Sequence, residues 1–206
     1  PEPSAPVVYA AVARRAGLEL TAADVRARFV AAFRREEEAD RAAGWVTSEE
    51  RERERWRTVV GTVLRGAAAP EACFAELYDH FARPAAWRVA PDAGEVVARL
   101  RARGLAVGLG SNYDSRLWPV LDGFPELAPV RDRAVVSAAV GFRKPAAGFF
   151  REVVRAAGCA AGEVVFVGDD VENDYAGAAA AGLRAVLVGG DVGADRRVTR
   201  LGELLG

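Results

Sequence analysis

The sequence predicts an α/β fold: a parallel sheet covered by helices, joined to a separate all-helical module. Three observations predict it. Residues 5 to about 85 repeat their apolar side chains at helical spacing. After Pro84, short β-branched runs alternate with helical patterns. Those runs are almost entirely apolar, as strands buried on both faces are.

The helical module comes first. Thr21 with Asp24 reads as a capping-box start, and Val25, Phe29 and Phe33 follow on one face. Thr47 with Glu50 reads as a second capping box, followed by EERERERW, with Glu49 and Arg53 at i,i+4. Pro70 begins a third helix that aligns Phe74, Leu77, Tyr78 and Phe81. The pattern breaks between Pro84 and Pro91, around Trp87. Asp92 with Glu95 then caps a helix that ends at Gly104. Strands are expected at Leu105–Leu109, Ala134–Val140, Val164–Val167 and Ala185–Val188. Helical patterns lie between them: Phe149 to Val154 closing at Gly158, and Asp174 to Ala181 closing at Gly182. Asp191 to Arg197 reads as a loop before a final helix ending in LGELLG.

Composition narrows the function classes. The 206 residues fit one large domain or a core with a smaller insertion. With 28 basic and 29 acidic residues the net charge is -1, unlike the basic footprint of a nucleic-acid binder. An anionic partner must therefore be met by a local site. Cys73 and Cys159 give neither a disulfide framework nor zinc spacing, and both read as reduced core residues. No apolar run approaches the roughly 18 residues a spanning helix needs, and PEPSAPVVYAAVARR lacks the basic start of a secretory signal. A cytoplasmic protein with no membrane partner is the expectation. Oligomeric state leaves no trace in the sequence.

Ligands of open α/β sheets bind beyond the carboxyl ends of the strands. Three segments sit there. In GLGSNYDS, Ser111 and Asn112 can hydrogen-bond a phosphate oxygen, or can cap the next helix. In VGFRKPAAGFF, Lys144 stands before Pro145, which starts a helix; it can neutralise a phosphate and a carboxylate, or be a solvated lysine. In VVFVGDDVENDYAGA, Asp169, Asp170 and Asp174 crowd one strand end, where a cation such as Mg²⁺ would relieve their repulsion. Alternatively, Asp174 is an N-cap and Asp169 makes a turn. An anion-binding hydroxyl, a cation and carboxylates on one sheet edge are the equipment of phosphoryl transfer.

In this order, SNYDSR, VGFRKP and VGDDVENDYAGA resemble motifs two, three and four of the haloacid dehalogenase superfamily, in the subgroup with a helical cap inserted after the first strand. The resemblance implies a Rossmann-like core formed by residues 1–4 and 86–206, with residues 5–85 as the cap. It implies a Mg²⁺-dependent phosphatase acting on a small phosphorylated metabolite through an aspartyl-phosphate. Ser111 would bind phosphate with Asn112, and Lys144 would hold the charges of nucleophile and phosphate. Asp169 and Asp174 would bind Mg²⁺. The role of Asp170 stays open.

The family's first motif, whose leading Asp is the nucleophile, is not found before the cap; Glu2 and Ser4 match neither its spacing nor its flanks. The sequence has no Met and starts at Pro1. The missing strand is expected in a segment ahead of Pro1, between the strand ending at Ser111 and the one ending at Asp169. Without it, backbone on both sides of the slot is left unpaired. A phosphate- and Mg²⁺-binding pseudoenzyme and a metal-independent 2-haloacid dehalogenase are the alternatives. The lone His80 reads as structural or solvated and the acidic–basic helix runs as solvated faces; Trp45, Trp56, Trp87 and Trp118 read as packing residues, with Trp45 or Trp87 the candidates to line a cap pocket.

Overall fold

A computed structural model describes residues 1–189 and 195–206. Residues 190–194, most of the expected loop at Asp191–Arg197, lie outside the described residues. The chain divides into two units, one of residues 1–44, 49–88 and 116–123, the other of residues 45–48, 89–115 and 124–206.

The first unit is helical. Its elements are α1 (Ala5–Arg15), α2 (Ala22–Ala42), α3 (Glu49–Val63), α4 (Pro70–His80) and α6 (Leu117–Asp122). The capping box at α2 forms as expected: the Thr21 hydroxyl accepts from Asp24 N at 3.1 Å, and Thr21 N donates to the Asp24 carboxylate at 2.9 Å. Helix α3 begins at Glu49, one residue later than a cap at Thr47 implies. Tyr9, Val25, Val59, Val63, Phe74 and Leu77 form the core, with Phe29 edge-on to Tyr9 and stacked on Phe33. Cys73 is buried as expected, whereas Cys159 is exposed: it follows Gly158, where the backbone leaves its helix.

The second unit holds α5 (Ala93–Ala102), α7 (Ser137–Val140), α8 (Ala147–Ala157) and α9 (Gly177–Ala180). Its strands are β1 (Leu109–Ser111), β2 (Ala134–Val136), β3 (Val165–Gly168), β4 (Arg184–Val188) and β5 (Arg197–Val198). All pairings between these strands are parallel. They form two sheets, β1-β2 and β3-β4-β5. Among the described residues no strand pairs with the free edge of β1 or of β3. Phe149, Phe150 and Phe166 pack edge-to-face at the centre of this unit. Burying each phenylalanine contributes roughly 1.5–3 kcal/mol.

Several elements differ from expectation for identifiable reasons. The run Leu105–Leu109 becomes a strand only at its end, because β2 starts opposite Leu109; Leu105 is 54% exposed. The run Ala134–Val140 stops being a strand after Val136, where its partner ends at Ser111. There the Ser137 hydroxyl donates to the Tyr113 carbonyl and the chain turns into α7. Asp92 does not cap α5 through its side chain; its carboxylate accepts from Gly202 N at 2.8 Å. Pro145 lies ahead of the N-cap Ala146 and not inside α8. The last segment, Leu201–Leu205, is a 3₁₀ turn. No helix among the described residues is long and apolar enough to cross a membrane.

Candidate active site

Strands β1 and β3 end on small residues, Ser111 and Gly168, and the next residues carry the polar groups. The turn after β1 is anchored by the Tyr113 carbonyl, which accepts from both Ser137 Oγ and Ala138 N. That anchoring presents Asn112 to the loop before α8. Asn112 Oδ1 accepts from Lys144 N at 2.8 Å, and Asn112 Nδ2 donates to Lys144 O at 3.1 Å. One amide side chain thus grips the lysine backbone from both sides. Its second amide hydrogen stays available for a phosphate oxygen.

The Lys144 ammonium reaches across two strand ends. It donates to the Gly110 carbonyl of β1 at 3.2 Å and to Asp174 Oδ1 at 2.6 Å. The rings of Phe166 and Phe149 lie 5.5 and 5.9 Å from the nitrogen, within cation–π range. The side chain is only 11% exposed, so it is not the solvated lysine of the alternative reading. It is also the one lysine among 28 basic residues. The compact ammonium sits between a carbonyl, a carboxylate and two rings as a point charge on a flexible stem.

Asp174 is 6% exposed at its side chain and also accepts from Asp170 N at 3.2 Å. It packs directly on Gly168, where a Cβ would run into its carboxylate. Glycine at the strand end is what lets Asp174 stand there. Asp174 is delivered by a widened turn, Val171–Ala176, in which the Asp170 carbonyl accepts from both Asp174 N and Tyr175 N.

The acidic cluster is not the bare repelling trio expected from the sequence. Asp170, not Asp174, is the N-cap: its carboxylate accepts from Glu172 N at 2.9 Å and Asn173 N at 2.8 Å. Asp174 is neutralised by Lys144. Hydrogen bonds and one cation therefore relieve the repulsion within the protein. Among the described residues no three His, Cys, Asp or Glu side chains converge as a metal site. Asp169 is exposed, and neither its carboxylate nor the Ser111 hydroxyl has a protein partner among the described residues. Asp169 and Asp174 are the carboxylates that could hold Mg²⁺, which is commonly bound by one or two carboxylates while water and phosphate complete the octahedron.

The structure therefore brings Asn112, Lys144 and Asp174 into one bonded set, with Ser111 and Asp169 next to it in the chain. The Gly110 carbonyl and Gly168 belong to the same set but escape sequence reading, because neither contributes a polar side chain. A count of lysines would have singled out Lys144.

Residues 3–182 match the family model described as haloacid dehalogenase-like hydrolase. The chain is 34% identical over 151 residues to haloacid dehalogenase-like hydrolase domain-containing protein 3 of Mus musculus, covering 71% of this chain and 60% of that protein. It is 33% identical over 97 residues to the ribulose-1,5-bisphosphate 5-phosphatase of Halopiger xanaduensis, covering 47% of this chain and 41% of that one. The magnesium-bound crystal structure of a HAD-hydrolase from Bacillus subtilis matches 96% of this chain and 90% of its own, with TM-score 0.64 and 20% identity. A glycine strand end holding a buried carboxylate, a lysine clamped by an asparagine and a family match across nearly the whole sequence agree: the chain belongs to the haloacid dehalogenase-like hydrolases.

Proposed function

We propose that this chain supplies the phosphate-binding and metal-binding groups of a Mg²⁺-dependent phosphatase acting on a small phosphate monoester. The observation that carries the reading is the Lys144 ammonium, held between the Gly110 carbonyl and Asp174 where two strands end. A fixed cation there neutralises charge on a transferring phosphoryl group without reorganising during the reaction. The Ser111 hydroxyl donates to a phosphate oxygen, and Asn112 adds its second amide hydrogen while keeping Lys144 in place. Asp169 and Asp174 would hold Mg²⁺, which supplies Lewis-acid neutralisation of the phosphate when bound. The nucleophile in this reading is an Asp on a strand that pairs with the free edges of β1 and β3. It attacks phosphorus as the P–O bond to the substrate alcohol breaks and that oxygen takes a proton from solvent; water then cleaves the aspartyl-phosphate, releasing inorganic phosphate and restoring the Asp. The curated phosphatase relative supports a phosphate ester over other substrates.

The test is a turnover assay on the full-length protein with p-nitrophenyl phosphate and a panel of small phosphate monoesters, with Mg²⁺ and with EDTA. Expected is hydrolysis that EDTA abolishes and Mg²⁺ restores. Release of halide from 2-chloropropionate in EDTA would replace this reading with a dehalogenase. Mg²⁺ or phosphate binding without turnover would replace it with a non-catalytic binding role.

A further inference from the structure

We propose that Trp45–Thr47 is a strap that positions Lys144; its catalytic consequence rests on the phosphatase reading above. The strap lies in the segment that links α2 to α3, far in sequence from the site motifs. Val46 forms an antiparallel bridge with Phe142. Arg143 N donates to the Trp45 carbonyl at 2.9 Å, and Thr47 N donates to the Gly141 carbonyl at 3.0 Å. The residues just before Lys144 are thus tied down by backbone bonds on one side, as Lys144 itself is gripped by Asn112 on the other.

Two features set this strap apart from an ordinary loop contact. Trp45 holds φ at 62°, the only non-glycine residue with positive φ among the described residues. A bulky side chain adopts that backbone only where its surroundings enforce it, and such positions gather at functional sites. Thr47 and Arg143 are each only 6% exposed, so the backbone bonds they donate are shielded from water. The Lys144 nitrogen must meet the Gly110 carbonyl of β1 and the Asp174 carboxylate of the turn after β3, and β1 and β3 share no ladder among the described residues. A lysine with four flexible carbons keeps that geometry only if its backbone is fixed. Asn112 fixes one end of the loop and Trp45–Thr47 fixes the other.

Thr47→Pro in the full-length protein deletes the N–H that reaches Gly141. Thr47 stands ahead of α3, so a proline there removes no hydrogen bond within the helix. The experiment reads three quantities against the parent: amide exchange of the peptide spanning 141–144, the rate of Lys144 acylation by an N-hydroxysuccinimide ester, and kcat and KM for p-nitrophenyl phosphate. Lys144 is the one lysine in residues 1–206, so peptide mapping assigns the label without ambiguity. Expected are exchange and acylation about tenfold faster, the worth of roughly one backbone hydrogen bond, with kcat falling by a similar factor while KM and the melting temperature stay nearly constant. Parent-like exchange and acylation overturn the strap. So does a uniform loss of melting temperature with kcat unchanged, which marks a purely structural contact. If Thr47→Pro does not fold, Val46→Gly weakens the same bridge more gently, and the same two directions decide. If the parent hydrolyses no phosphate ester, the phosphatase reading fails, while exchange and acylation still decide the strap.

Discussion

Each unit buries an ion pair, and the two pairs differ in a way that separates structure from chemistry. In the helical unit Asp40 pairs with Arg55, both 1% exposed. The pair sits in a wider ionic cluster: Arg51 bonds both Asp40 and Glu36, at 2.6 and 2.8 Å, and the Arg55 guanidinium lies over Phe33 at 4.7 Å. Burial works against the charge of Arg51, yet its two carboxylate partners outweigh that and hold its pKa above the ordinary value. In the α/β unit the Lys144–Asp174 pair, 11% and 6% exposed, stands at strand ends beside Ser111 and Asp169, which have no protein partner among the described residues. Burying a charge pair is therefore no sign of function by itself. What favours the Lys144–Asp174 pair as the site is its place at strand ends, where ligands of open α/β sheets bind, with Ser111 and Asp169 next in the chain to those ends.

The largest expected effect is on stability in the helical unit. Asp40→Ala removes a buried carboxylate that both Arg51 and Arg55 bond, and should cost about 3–5 kcal/mol. Chemical denaturation of the variant measures it. Activity per folded molecule should be unchanged. Next comes Lys144→Met, which should lower kcat by about 10²–10³. Its cost in stability should be smaller than that of Asp40→Ala, because Asp174 packs on Gly168 at a strand end, next in the chain to the exposed Asp169, and can regain solvent. Equal stability losses in the two variants would erase the distinction between the pairs.

How much of this was legible in the sequence depended on where the information lay. Side-chain chemistry at strand ends was legible: Asn112, Lys144 and Asp174 were named from their types and positions, and they form one bonded set. The Thr21 cap was legible because the capping box is a local code. The acidic cluster was misread because counting carboxylates ignores their direction. Asp170 turns to its own backbone and Asp174 to a lysine 30 residues away. Strand ends were misjudged wherever pairing, not composition, decides them. Leu105 and Val107 are good strand residues, but β2 starts only opposite Leu109. The Trp45–Thr47 strap could not be seen at all, because backbone bonds leave no mark on residue type.

A smaller effect sharpens the account of the α/β unit. Gly168→Ala drives a Cβ into the Asp174 carboxylate and must push it from the strand end. Overpacking of this kind costs about 1–3 kcal/mol. The displaced carboxylate should also weaken Mg²⁺ binding, read by isothermal titration, whereas Gly61→Ala in α3, where a Cβ meets nothing within 4 Å, should leave both stability and Mg²⁺ affinity intact or raise stability slightly.

The smallest effect returns to the helical unit. His80 lines a cavity of about 340 Å³ with Val8 and Val12 of α1, and its buried Nε2 has no hydrogen-bond partner among the described residues. Burial pushes its pKa below the ordinary value and Arg83 adds to that, while Glu76 opposes it. Arg15 and Asp79 also face the cavity, and Arg15 is paired with Glu76. A histidine with a depressed folded pKa favours the folded state when neutral. Its contribution is complete above the unfolded value of about 6.5 and is lost as pH falls through the folded pKa. Melting temperatures of the parent should therefore fall on acidification below about pH 6.5. His80→Asn should flatten that part of the profile while leaving kcat for p-nitrophenyl phosphate at pH 7.5 unchanged. A variant whose melting profile matches the parent across that window would show that His80 titrates as it does in the unfolded chain, and that the acid sensitivity of the helical unit lies in its carboxylates.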